Sequence, residues 1–180
     1  QWDMTLGAEP FPVLDAGRCR ANLDQMAGKC RRLGLTLAPH LKTPRNPLVG
    51  SWLQEAGIRS GSVSSLSMAR HYWEMGGWDH LTLAILPHPE LVETWRGLSD
   101  PPRLHWVVDH PMHVRVLSRL DGAVKVWLKV DTGAGRTGLN TFEALRDLGR
   151  SAARRFQVQG LLSHGGQNYH AAGPAQIRRE

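Results

Sequence analysis

Apolar positions along the 180 residues fall into two rhythms that take turns. Cys19, Leu23, Met26, Cys30 and Leu33 recur three or four apart, the spacing of one helix face, and Gly34 closes the run. The next stretch, LTLAPHLKT at 35–43, is short and apolar and reads as a strand. Pro44 and Pro47 break it and open a second helix through Leu48, Val49, Trp52 and Leu53, which Gly57 ends. Further strands are expected at 62–66, 81–86, 104–108, 124–130 and 156–163. Helices fill the gaps. One is capped by Ser67 and stops at Gly76-Gly77, and one spans 89–95. A third is capped by Asp109 with Pro111 in its first turn, and a fourth is capped by Asn140 or Thr141 and runs to about residue 154.

Six strands alternating with helices imply a parallel sheet with crossover helices, an α/β fold. The choice lies between an open doubly wound sheet and a (β/α)8 barrel. An open sheet gathers its site at one switch point; a barrel spreads it over the C-terminal ends of all its strands. Polar and reactive residues follow nearly every strand here: Lys42, Ser64 to Ser67, His88, Asp109, Asp131 to Arg136, and His164 to His170. That distribution favours the barrel. A whole barrel needs about 250 residues, so residues 1–180 are expected to form a single, partial barrel of about six βα units.

Composition narrows the function classes. Hydrophobic residues make up 41% and charged residues 21%, as in a globular domain. No stretch approaches the roughly 20 apolar residues of a membrane span, and the start, QWDMTLGAEP, lacks the regions of a signal peptide. The net charge of +6 invites a nucleic-acid partner. Yet the arginines come only in pairs, Arg31-Arg32, Arg154-Arg155 and Arg178-Arg179, without a nucleic-acid-binding motif, so neither nucleic acid nor membrane is expected as a partner. Cys19 and Cys30 sit eleven apart on one helix, roughly 16 Å at 1.5 Å per residue, too far for a disulfide. They read as free buried thiols and place the chain in a reducing cytoplasm.

Four stretches hold candidate chemistry. VDTGAGRTG at 130–138 contains G-x-G-x-x-G, the letters of a dinucleotide site. It follows the fifth expected strand rather than the first, no acid stands near residues 156–159, and Asp131 would face the pyrophosphate; the nucleotide reading fails on position. A plain glycine turn explains the glycines but not Asp131 and Arg136 at a strand exit. Lys42 ends a strand and shares a side with His40. In a barrel mouth its amine is partly desolvated and suited to a Schiff base; elsewhere it is an exposed strand-end lysine. HGGQNYH at 164–170 is either an anion-binding glycine pair backed by Tyr169 or a glycine-rich turn. His110 and His113, three apart at a helix start, have the spacing of metal ligands, or simply begin a surface helix.

Together, PHLKT, VDTGAGRTG, SHGGQNYH and VVDHPMHVRVL resemble the fold-type III pyridoxal-phosphate (PLP) enzymes, above all the D-serine dehydratase and D-threonine aldolase family, from about Phe11 to the end. The resemblance implies a barrel of the alanine racemase N-terminal type. It implies PLP attached to Lys42 as a Schiff base, Arg136 beside the cofactor's ring and phenolic oxygen, His164 against the pyridine ring, and Tyr169 near the phosphate. Lys42 and His164 are then the catalytic candidates. The segment with Lys129 and Asp131 is also similar to alanine racemase, whereas PHLKT is not.

The implied activity is that of a lyase on a small-molecule D-hydroxy amino acid. PLP accepts electrons while a base, Lys42 once free, removes the α-proton, or the Cα–Cβ bond breaks. A divalent metal, Zn or Mn, would assist loss of hydroxide in the full-length protein, with ligands outside this chain. An amino-acid racemase on the same fold, or a non-catalytic PLP-binding fragment, stays open. The family also implies a homodimer when full length, and a C-terminal β domain absent from residues 1–180. This chain alone is therefore expected to be inactive or impaired. It departs from the family's THKC continuation with Thr43-Pro44-Arg45-Asn46.

Overall fold

The computed structural model describes residues 13–43 and 45–177; Pro44, the Arg178-Arg179 pair and the N-terminal stretch through Pro12 lie outside the described residues. In chain order the elements are α1 (Ala16–Arg32), α2 (Pro47–Glu55), β1 (Ser60–Val63), α3 (Leu66–Glu74), β2 (His80–Leu83), α4 (Pro89–Arg96), β3 (Leu104–Val108), α5 (Pro111–Leu117), β4 (Lys125–Val130), α6 (Phe142–Ala153) and β5 (Gln157–Ser163). A 3-10 segment, Gly166–His170, and the short α7 (Pro174–Ile177) follow.

Capping residues explain where the helices begin. Asp15 accepts the Arg18 N–H at 2.9 Å, Asn46 accepts the Leu48 N–H at 2.9 Å ahead of Pro47, and Thr141 accepts the Ala144 N–H at 3.3 Å. Two expected caps move. Ser65, not Ser67, accepts the Met68 N–H and opens α3. His110, not Asp109, caps α5 through its Nδ1, because the Asp109 carboxylate is engaged elsewhere.

All strand pairs are parallel, in the order β1-β2-β3-β4-β5. The order follows the chain with no reversal, so there is no switch point of the doubly wound kind. This is the arrangement of the expected (β/α) barrel, present here as five strands. The first expected strand, at 35–43, shrinks to one parallel bridge between His40 and Ser62. There the Leu41 N–H donates to Ser62 O at 2.8 Å, and the Ser62 N–H donates to Pro39 O at 2.9 Å. The next bond of the ladder would need an N–H at residue 39, and proline has none. On the other side the chain turns away at 41–43.

Alternation along each strand separates two faces. Leu81, Leu83, Trp106, Val108 and Val126 point outward and are buried beneath the helices. Each of α3 to α6 adds a fully enclosed residue: Ala69, Val92, Leu117 and Ala152. Truncating one of the large residues here costs about 2–5 kcal/mol, so this layer fixes the scaffold. The inward face is polar, with Ser60, Thr82, His105 and Lys129 all buried, where such barrels usually carry branched aliphatic residues. Gly160 is required where β4 meets β5. It sits at φ +143° beside a register shift, and a Cβ there would lie 3.2 Å from the Trp127 ring.

Cys19 and Cys30 are free but half-buried rather than enclosed. Among the described residues no helix is long and apolar enough to cross a membrane.

Candidate active site

The C-terminal ends of the strands surround a cavity of about 540 Å³, within the roughly 300–1,000 Å³ of small-molecule sites. Its walls come from successive βα units: His40 and Lys42 beside the bridge, Ser62 and Ser64 from β1 and its exit, Ala84, Val107 on β3, Lys129 on β4, Arg136, and Leu162 to His164 at the end of β5. Ser62 and Ser64 lie two apart, as a shared inward face requires. Expected candidates Lys42, Arg136 and His164 meet in this cavity.

Lys42 is exposed at the rim, so the desolvation expected of it falls instead on Lys129, which is 6% exposed. Burial, aided by the neighbouring Arg136, holds the Lys129 amine below its ordinary pKa, while Asp109 and Asp131 pull the other way. The Lys42 N–H donates to His40 Nδ1 at 3.2 Å, so Nδ1 is the acceptor and a neutral His40 carries its proton on Nε2. Burial lowers the His40 pKa, and Lys42 and His164 lower it further. His164 is depressed in the same way, first by desolvation and then by Arg136, Lys129 and Lys42. None of the lining side chains among the described residues is a carboxylate. The cavity is therefore a field of positive and protonatable groups, suited to an anionic ligand.

The glycine stretch is a loop folded back on its own strand. The Gly133 and Gly135 N–H groups donate to Asp131 at 3.0 and 3.0–3.1 Å, which holds that carboxylate below the usual range. The Leu139 N–H returns to Lys129 O at 2.9 Å, and the Asp131 N–H to Leu139 O at 3.0 Å. Asp131 is thus satisfied by its own loop and does not face the cavity ligand.

Tyr169 stands apart. It is 78% exposed on the 3-10 segment, meets the His164 ring edge-on at 5.8 Å between centroids, and does not line the cavity. The glycine pair before it forms a turn, in which the Gly166 N–H donates to His164 O at 2.9 Å. The segment is tied to the glycine loop by Gln167, which donates to Thr132 O, and by a 2.7 Å contact between the Thr132 and Ser163 hydroxyls. His110 and His113 stand at a helix start whose first turn is at the surface: His110 is exposed and caps α5, whereas His113 is buried against Asp109. Among the described residues no three His, Cys, Asp or Glu side chains gather as metal ligands.

Residues 14–179 match the family model for the alanine racemase N-terminal domain. The chain belongs to that family. It is a fold-type III PLP family, and this domain is its barrel. D-threo-3-hydroxyaspartate dehydratase of Delftia sp. (strain HT23) is 26% identical over 176 residues, covering 94% of this chain and 46% of that protein. The solved structure of that dehydratase superposes with a TM-score of 0.82 at 24% identity over 96% of this chain and 48% of the other. D-threonine aldolase from Filomicrobium marinum superposes with a TM-score of 0.81 at 21% identity over 88% and 45%. Alanine racemase of Clostridium difficile 630 gives 0.65 at 13% over 85% and 43%. The chain thus spans about half the length of the curated relative it matches. Beyond the expected residues, the alanine racemase-type barrel places His40 and Lys129 in the cavity wall. The only sequence signal for Lys129 is its place at the end of the expected strand 124–130, just before the glycine loop.

Proposed function

We propose that this domain holds PLP at Lys42 and serves a lyase acting on D-β-hydroxy amino acids. The observation that carries the reading is the convergence of Lys42, His40, Lys129, Arg136 and His164 on one cavity free of carboxylates. The residues present fit the group. A phosphate ester with a phenolic oxygen needs cations and hydrogen-bond donors, and the substrate brings a further carboxylate. When bound, PLP supplies an electron sink for the substrate's α-carbon.

The chain's own residues divide the remaining work. Lys42, exposed at the rim, is accessible for covalent attachment through Nζ, and its free amine takes the α-proton from the substrate. Arg136 donates to the cofactor's phenolic oxygen. His164 packs against the ring, and its depressed pKa keeps it neutral near pH 7, so it adds no charge there. Lys129 supplies counter-charge from a buried position. Tyr169 reaches the phosphate only if the 3-10 segment turns its ring inward from its exposed place.

Loss of the α-proton and the β-hydroxyl removes water; hydrolysis of the resulting enamine gives an oxo acid and ammonia. The named relatives, a dehydratase and an aldolase, support a lyase. A divalent metal, Zn or Mn, would supply Lewis-acid help for loss of the β-hydroxyl in the full protein, its ligand set not being gathered among the described residues, and the protein acts as a cytoplasmic homodimer. The test supplies the full protein with PLP and D-β-hydroxy amino acids. Ammonia or aldehyde release, and borohydride-stable attachment to the peptide carrying Lys42, are the expected results. Appearance of the L-enantiomer without ammonia would instead establish a racemase, and no attachment at Lys42 would overturn the reading.

A further inference from the structure

Asp109 leaves the end of β3 with its side chain only 12% exposed, yet it does not line the cavity. One oxygen lies 3.1 Å from His113 Nδ1, and the other accepts the Gly138 N–H at 2.9 Å. The Asp109 backbone N–H also donates to His113 Nδ1, at 3.4 Å, so this ring nitrogen holds Asp109 by its backbone as well as lying beside its carboxylate. The His113 side chain is 8% exposed, and its burial favours the neutral ring, with Asp109 opposing that effect. Asp109 is thus braced from behind by a buried imidazole and reaches forward to one backbone amide.

That amide is set in a position only glycine can hold. Gly138 has φ +114°, and a Cβ there would meet Asp131 N at 2.5 Å and Val130 C at 2.6 Å. It is also the point where the glycine loop closes onto β4, since Leu139 follows and bonds Lys129 O. The other half of the loop is held by Asp131 through the Gly133 and Gly135 amides. Arg136 and Thr137, both in the cavity wall, are the two residues between the anchored Gly135 and the anchored Gly138. One carboxylate comes from the loop itself and the other from the neighbouring strand.

The geometry points to Asp109, braced by His113, as the positioning residue that sets the Arg136 guanidinium against the cofactor through the Gly138 amide. The assignment rests on the PLP reading for its ligand, but not for its mechanical part. Asp109 touches neither substrate nor cofactor; it acts on a loop.

The experiment uses the full protein and the variants Asp109→Ala, Asp109→Asn and His113→Gln, with three readouts. The first is PLP affinity by fluorescence titration, the second the absorption spectrum of bound PLP, and the third the exchange rate of the Gly138 amide without cofactor. Loss of a hydrogen bond to a charged acceptor is worth about a factor of ten or more in affinity. Asp109→Ala is expected to weaken PLP binding by about that factor and to shift the bound spectrum, while borohydride still traps PLP at Lys42. Asp109→Asn, which keeps an acceptor for Gly138, is expected to recover most of the affinity, and Gly138 exchange should accelerate in Asp109→Ala and, less strongly, in His113→Gln, but not in Asp109→Asn. A folded Asp109→Ala protein with unchanged affinity, spectrum and Gly138 exchange overturns the assignment. If Asp109→Ala does not fold, His113→Gln decides, since loss of the brace must still speed Gly138 exchange. A wild-type protein that takes up no PLP overturns the parent reading alone, because Gly138 exchange still reports on the anchor.

Discussion

Acid should loosen this fold through one buried histidine. His105 on β3 is 5% exposed, its ring stacks on His80 at 3.8 Å with only 10° between planes, and its Nδ1 has no hydrogen-bond partner. Burial, with His80 and Lys125 nearby, lowers its pKa from 6.5 to about 4. His80 is lowered too, first by burial and then by Lys125, with Asp79 opposing. The unfolded chain takes up the His105 proton near pH 6.5, while the fold refuses it until about pH 4. Stability must therefore fall as pH drops through that window and level off below it. At about 1.4 kcal/mol per tenfold, the whole window is worth about 3 kcal/mol, a large share of a typical 5–15 kcal/mol total (roughly, for domains of this size). Urea unfolding followed by tryptophan fluorescence at half-unit steps from pH 4 to 8 measures this for the wild type and for His105→Gln. The variant is expected to be weaker at pH 8, where it buries an amide, and to lose the His105 share of the slope between pH 6.5 and 4. His80 is depressed by its own burial and by Lys125, so its contribution persists in both proteins. Equal slopes in the two proteins would refute the argument.

Other expectations are equally direct. Gly138→Ala places a methyl on backbone atoms at an unfavourable φ, and thermal or urea unfolding should show a loss of at least about 2 kcal/mol. Arg136→Gln removes one of the cations that depress His164, so the His164 ring should titrate at higher pH by NMR; an unmoved titration would separate the two side chains. Thr141→Ala deletes the acceptor for the Ala144 N–H and should cost about 1 kcal/mol of stability.

Much of the architecture was legible because it rests on short-range signals. Strand and helix alternation, the proline and glycine punctuation, and the order of polar residues after strands were enough to name a barrel. Edges failed where a tertiary bond overruled a local preference. Asp109 is a good cap by type, yet its carboxylate goes to Gly138, 29 residues away, and His110 caps in its place. Pro39 marks the missing strand in hindsight, since a ladder donor is absent at that residue. In the site, Lys42, Arg136 and His164 were readable as strand exits. Burial was not: Lys129 and Lys42 look alike in sequence, and only the folded barrel puts one beneath the cavity wall and the other on its rim. Tyr169 was expected near the phosphate, but a turn of 3-10 geometry sets its ring outside the wall.

The loop at 131–138 leaves β4 and rejoins it one residue later, at Leu139. A tether fastened at both ends to the same strand has a fixed number of links. A side chain on the loop can change in kind at the cost of its own contacts, such as the Thr132–Ser163 hydroxyl pair, but adding or deleting one residue would break the Leu139 closure or pull Gly138 out of reach of Asp109. Diversification of this rim must proceed by exchange of residues and not by change of length. New reach toward a larger substrate has to come from the other rim segments, such as the turn at 41–43 that carries Lys42.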